Sequence, residues 1–326
     1  MILAKPKAPM TRSEKADHAG SLTIVGTGIQ GVSHMSLGTI AAIRSADIAF
    51  YHVFERTAAA YVRSLNANGH DLRQYYGELK PRRITYIQMA EVMLQSVRKG
   101  LEVVGVFSGH PGVFVMASRR AISIAREEGF AARLLPAISS IDCLISDLGI
   151  DPGVFGFQIA KAGAFLREHL VLSTGSHVAL LQVNSVGDTT YSFTGFKNAR
   201  KLPLVKKLIE VYGDQHEAVY YEASTTFGSP FELSTRKLGD YLRPEIIETM
   251  GFGILYLPPA GRTYAEVCSW RRLNLTGMEA YAIADLQDRQ QTADPAQTSA
   301  VLPEIEPILE ALSKPTFRAP GGVSID

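Results

Sequence analysis

The chain has 326 residues, with 33 Lys+Arg against 32 Asp+Glu, so it carries no global positive field to collect phosphates, which argues against a general nucleic-acid binder. Its length exceeds the usual single-domain size and predicts two domains. Two cysteines, Cys143 and Cys268, are too few for a disulfide framework, the eight histidines show no metal-ligand spacing, and no window approaches the ~18 apolar residues of a membrane span. A cytoplasmic protein without a metal or a membrane partner is expected.

Residues 1–20 read as a loose extension with no apolar run of signal-peptide length. Regular structure is expected to begin with a strand over Leu22–Val25, which runs into glycines and then a helix from Ser33 to Ser45. A strand follows in ADIAFYHV (46–53), and ITYIQMAEVMLQSVRKG (84–100) places apolar residues at helical spacing before a basic, glycine-ended terminus. LEVVGVF (101–107) reads as a buried strand entering a Gly/Pro loop. ASRRAISIAREEGF (117–130) is a helix, and AARLL leads to PAISSID, a turn with helix-capping serines. This alternation predicts a first α/β domain over 21–140 with a mainly parallel sheet.

The alternation repeats with strands in HVALLQVNSV (177–186), EAVYYEAS (217–224) and GFGILYLPP (251–259) and a helix over 201–213, giving a second α/β domain over 141–259. Residues 260–326 turn polar around QDRQQTADPAQTSA, with a short amphipathic helix candidate in PEIEPILEAL, and read as a C-terminal tail.

Three turns follow strands of the first domain: GTGIQG (Gly26–Gly31), SGHPGVF (Ser108–Phe114) and PAISS. Alone, the first is a weak dinucleotide fingerprint, because the next strand ends in His52 where a ribose-binding acid would stand. Together they fall at the carboxyl edge of one sheet, where ligands bind in open α/β folds.

The ordered series VGTG with SADIAFYH, then GHPGVF, then LLPAISSID resembles the tetrapyrrole methylase superfamily over residues 21–259. The resemblance implies a two-domain class III methyltransferase fold, α/β throughout, with S-adenosyl-L-methionine in the interdomain cleft, and a homodimer. Carried onto this sequence, it implies cofactor contacts at Gly26 and Gly28, at His110, Val113 and Phe114, and at Ser139 and Ser140, with Gln182 and the LYLPP strand walling the adenine side.

QYYGELKPRRITYIQ (74–88), followed by GVFSGHPGVF and ISDLGIDP, is similar more narrowly to the borosin enzymes, which N-methylate backbone amides of ribosomally made peptides. Their tyrosine, arginine six residues on and tyrosine four beyond fall here on Tyr76, Arg82 and Tyr86. One position departs: a family tyrosine is replaced by Ser108.

An amide nitrogen is a poor nucleophile because its lone pair is delocalised into the carbonyl. The enzyme must therefore loosen the N–H proton, and a guanidinium beside a phenol favours the phenolate. Tyr76 is thus expected as base, Arg82 as stabiliser of phenolate and imidate oxygen, and Tyr86 as hydrogen-bond partner, the tyrosine roles being exchangeable. A separate precursor peptide acting in trans is the expected substrate, since RAPGGVSID offers little apolar core, with methylation of the chain's own tail left open. A tetrapyrrole C-methyltransferase and a non-catalytic peptide-binding subunit are the alternatives.

Overall fold

The computed structural model describes residues 20–168, 170–196 and 199–267. Residues 1–19 of the expected extension, the expected tail beyond Val267, and Cys268 lie outside the described residues. The first half alternates strand and helix: β1 (Ser21–Gly26), α1 (Leu37–Ser45), β2 (Ile48–His52), α2 (Arg56–Leu65), β3 (Gly69–Asp71), α3 (Arg82–Val97), β4 (Glu102–Phe107), α4 (Met116–Glu127), β5 (Ala131–Leu134) and α5 (Ser140–Leu148). The five strands form one sheet in the order β3-β2-β4-β1-β5, every pair parallel.

Helices cover both faces, which is why central β4 is a continuous apolar run with only Glu102 exposed. Strand alternation divides the side chains. Leu22, Ile24 and Phe107 pack with Met89, Met93 and Leu94 of α3 and Ala121 of α4. Val25, Ala49 and Val104 face Ile43 of α1 and Ala58 and Val62 of α2. Each large apolar side chain buried in this way contributes ~1.5–3 kcal/mol.

Two local expectations shift. The helix predicted from Ser33 is split into a 3-10 turn over Gly31–His34 and α1, because Ser36 takes an extended conformation and accepts the Thr39 N–H as a cap. α3 starts at Arg82, before the first apolar residue of its pattern. Arg82 and Tyr86 are therefore one helical turn apart on one face.

The second half contains β6 (Phe157–Lys161), α6 (Ala162–Arg167), β7 (His177–Leu181), α7 (Lys201–Tyr212), β8 (Glu217–Glu222), β9 (Glu232–Lys237), α8 (Pro244–Ile247), β10 (Ile254–Leu257) and α9 (Tyr264–Val267). The simple α/β repeat expected here is corrected. In the order β6-β7-β10-β8-β9 only β6 and β7 run parallel, and β10 is antiparallel to β7 and β8, as β9 is to β8. A direct link from β8 to β9 without a crossover helix permits that reversal. β9 (ELSTRK) is a largely exposed, charged edge strand, a composition that blunts an edge and hides the strand from an apolar pattern.

Candidate active site

The loops after β1 and β4 are held together by backbone. Gly109 N–H donates to the Gly28 carbonyl at 2.9 Å, and the two glycines form an isolated antiparallel bridge. Gly28 adopts φ +68°, and a Cβ there would fall 2.2 Å from the Cβ of His34, whose Nδ1 accepts the N–H groups of Ile29 and Gln30. At Gly26 a Cβ would fall 2.1 Å from the Gly109 carbonyl oxygen and 2.7 Å from Ala137. Gly26 thus lets the three turns close on one another.

Two adjoining cavities open beside these turns, of about 260 and about 290 Å³. The smaller is lined by His110, Val113, Phe114, Ser139, Ser140 and Gln182, six of the eight residues expected around the cofactor. Gly28 lines the larger, with Glu55 and Glu222. Gly26 lines neither and packs against Gly109 and Ala137. Ile29, Ser108, Ser140, Phe252, Gly253 and Ile254 line both, so residues of the two halves of the chain form the shared wall.

Phe114 (φ +55°) and Gln182 (φ +60°) are non-glycine residues in the left-handed region, a strained conformation that concentrates at functional sites. His110 turns back into its own loop, its Nδ1 accepting the Gly112 N–H at 2.9 Å. Ser139 caps α5. Its hydroxyl accepts from Ile141 and Asp142 N–H and donates to the Asp142 carboxylate, which also accepts the Ser139 N–H at 2.6 Å. The Ser108 hydroxyl accepts the Phe54 N–H at 3.0 Å, fixing the chain after β2.

Tyr76 and Tyr86 lie side by side, and Arg82 is near enough to Tyr76 to act on it electrostatically. The Tyr76 ring is edge-on to Tyr86 at 6.5 Å. It also lies 5.5 Å from the His52 ring and 4.2 Å from Tyr191. Arg82 turns elsewhere. Its guanidinium donates to the Asp188 carbonyl and stands 4.7 Å over the face of Phe196. Phe196 is edge-on to Phe252 at 6.4 Å, which carries the contact to the cavities. Arg82 acts on Tyr76 in the expected direction, against stronger opposing influences. Burial first, then the neighbouring Tyr86 and then Tyr191, push the Tyr76 phenol well above the ordinary tyrosine range, while Arg82 opposes them as the weakest influence. These influences favour the neutral phenol of Tyr76.

Sequence reasoning passed over His52, Asp188, Tyr191, Phe196 and Phe252. A signal existed for some of these. The connection between β7 and α7 is long and carries Tyr191, Phe193 and Phe196 among Gly, Ser and Thr, and long irregular connections in packed domains are commonly functional. Among the described residues no group of three or more His, Cys, Asp or Glu could hold a metal ion, and no helix is long and apolar enough to cross a membrane.

The sequence profile of the Tetrapyrrole (Corrin/Porphyrin) Methylases matches residues 21–236. The methyltransferase/ribosomally synthesized cyclic peptide omphalotin A precursor of Omphalotus olearius is 41% identical over 89% of this chain and 69% of its own. The corresponding lentinulin A precursor of Lentinula edodes is 43% identical over 78% of this chain and 61% of its own. A methyltransferase/ribosomally synthesized type III borosin cyclic peptide precursor of Anomoporia bombycina is 41% identical over 74% of this chain but 28% of its own. Among solved structures, uroporphyrin-III-C-methyltransferase from Thermus thermophilus superimposes with a TM-score of 0.52 at 17% identity, covering 77% of this chain and 97% of the other. A cobalt precorrin-4 methyltransferase gives 0.51 at 13% identity, covering 76% and 97%.

Proposed function

Because the chain belongs to the tetrapyrrole methylase family and stands close to the borosin methyltransferases within it, we propose that it N-methylates backbone amides of a ribosomally synthesised peptide, with S-adenosylmethionine as methyl donor. The observation that carries this reading is the Tyr76–Arg82–Tyr86 group, joined to the twin cavity through Phe196 and Phe252.

The cavity suits the donor. Ile29, Phe114 and Phe252 offer apolar walls for an adenosine, and Ser140, Gln182 and Asn184 offer polar groups. The turns at Gly28 and Gly109 bring backbone to its edge. S-adenosylmethionine, when bound, supplies a methyl on a positively charged sulfur. The residues of this chain must hold the acceptor nitrogen in line with it at ~3 Å and take away the N–H proton.

Arg82 would stabilise the negative charge that develops on the acceptor carbonyl oxygen as its N–H proton leaves, its guanidinium already oriented by the Asp188 carbonyl. Tyr76 would accept that proton as its phenolate, its own phenol proton having first gone to solvent. The bound donor would supply the methyl to the nitrogen with cleavage of its sulfur–methyl bond, leaving an N-methyl amide and S-adenosylhomocysteine.

The relatives are named as methyltransferase and precursor in one chain. For this chain a peptide supplied in trans is the substrate in this proposal, and a homodimer, read by light scattering, belongs to the same proposal. Intact and fragment mass spectrometry after incubation with S-adenosylmethionine, alone and with precursor peptides, tests it. Mass steps of ~14 Da on backbone nitrogens of an added peptide support transfer in trans, and steps on the chain's own C-terminal fragment support self-modification. Donor binding with neither step removes the assignment.

A further inference from the structure

The segment from Asp188 to Phe196 leaves the second half of the chain and lies along the Tyr76 site. It pairs with residues 79–82 almost as a strand. Leu79 N–H donates to the Tyr191 carbonyl at 2.8 Å, Tyr191 N–H to the Lys80 carbonyl at 2.9 Å, and Arg82 N–H to the Thr189 carbonyl at 2.9 Å, with Pro81 and Thr190 forming a bridge. The segment is braced internally, since the buried Asp188 carboxylate accepts from the N–H and the hydroxyl of Thr190 at 2.9 and 2.7 Å. The Phe193 N–H is tied to the Glu78 carboxylate at 2.9 Å, and its ring stands edge-on to Tyr191 at 5.1 Å. Leu79, where the pairing begins, is a non-glycine residue at φ +58°, a conformation that surrounding contacts must hold.

This bracing delivers one side chain to the site. The Tyr191 ring is centred 4.2 Å from that of Tyr76 with 31° between their planes, closer than His52 at 5.5 Å or Tyr86 at 6.5 Å. Tyr76 therefore lies against His52 from the first half of the chain and Tyr191 from the second. Its own backbone follows a 3-10 turn over Leu72–Tyr75 and is extended, so no helix fixes the direction of its side chain.

We propose that Tyr191 is a positioning residue for Tyr76: its ring confines the Tyr76 phenol to the orientation that meets Tyr86 and the acceptor amide. The inference rests on the methyltransferase reading only in naming the acceptor. Removing the Tyr191 ring frees Tyr76 to occupy more than one rotamer, so fewer enzyme molecules hold the proton acceptor in line. Phenylalanine at 191 keeps the ring and the orientation.

The test uses the full chain with 3-fluorotyrosine placed at position 76, carrying Tyr191, Tyr191→Phe or Tyr191→Ala. The ¹⁹F spectrum is expected to show one narrow resonance with Tyr191 and with Tyr191→Phe, and a split or broadened resonance in Tyr191→Ala. In the unlabelled proteins Tyr191→Ala is expected to lower kcat by about 10- to 100-fold with KM for S-adenosylmethionine unchanged, and Tyr191→Phe to restore kcat to within about threefold. An unaltered resonance and kcat in Tyr191→Ala would overturn the proposal. So would a loss of kcat that Tyr191→Phe shares with a single, unmoved resonance. Should Tyr191→Ala fail to fold, Tyr191→Leu, which keeps bulk without the ring plane, takes its place with the same expected spectrum. If the parent protein methylates no peptide, the functional reading falls while the spectra still decide the role of Tyr191.

Discussion

Arg82 and Asp188 are 106 positions apart in the chain, yet the guanidinium of one donates to the backbone carbonyl of the other. The face of the same guanidinium lies 4.7 Å from Phe196, so one side chain of α3 is held by both a hydrogen bond and a cation–π contact from the second half. A lysine ammonium is a point charge that cannot reproduce a planar group stacked on a ring while donating at its edge. Arg82→Lys is therefore expected to reduce kcat by about 100-fold, a typical effect of misplacing one charge stabiliser, with donor affinity within twofold. Turnover equal to that of the parent protein would remove Arg82 from the mechanism.

The neutral state of Tyr76 predicts the pH dependence. Its phenol is pushed up by burial first and then by Tyr86, so if ionised Tyr76 is the base, kcat rises with pH across the neutral and alkaline range. Tyr86→Phe removes an influence that raises the phenol, so the rise should move to lower pH, whatever happens to its height. Tyr76→Phe should flatten the profile and lower kcat by ~10²–10⁴-fold. A pH-independent kcat in the parent protein, with methyl transfer rate-limiting, would assign the proton to another group.

His52 should make stability depend on pH. As a residue it is partly exposed, but its Nε2 is sealed from solvent without a hydrogen-bond partner. Burial pulls its pKa down from 6.5 to about 4, with Asp71 opposing and Arg73 assisting. The folded state then binds fewer protons than the unfolded state between these values. Stability is full above pH 6.5 and falls as pH drops toward 4, by roughly 2–3 kcal/mol for this shift. Urea unfolding at neutral and acid pH should show this fall reduced in His52→Phe. An equal fall in both proteins would place the proton uptake elsewhere.

Glycine at 28 is demanded twice, by φ +68° and by the 2.2 Å approach a Cβ would make to His34. Gly28→Ala should cost at least ~2 kcal/mol, combining left-handed strain with a displaced loop. Its melting temperature should fall and donor binding weaken with it, measured by calorimetry. A stable Gly28→Ala protein with unchanged binding would mean that the turn is free to refold.

Ser139 separates a capping role from a contact with the donor. Its hydroxyl is engaged by Ile141, Asp142 and the Asp142 carboxylate, so Ser139→Ala should lose ~1 kcal/mol of stability while the dissociation constant for S-adenosylmethionine changes less than threefold. A large loss of affinity at unchanged stability would establish the direct contact.

The sequence determined what short-range physics writes into neighbouring residues. The apolar run of β4, the helical spacing of α3, the serine cap before α5 and the Gly/Pro turns are all local, each set by hydrogen bonding and periodicity within a few residues. The spacing of Arg82 and Tyr86 is of this kind, because a helix turns that interval into one face. Tertiary structure decided the rest: the antiparallel pairing around β10, the packing of Gly26 against Gly109 and the stacking of Tyr191 on Tyr76. It also turned Arg82 toward Asp188. These depend on which distant segments meet, and no periodicity along the chain records that choice. Burial, which raises the Tyr76 phenol against the opposing influence of Arg82, exists only once the two halves have closed around the ring.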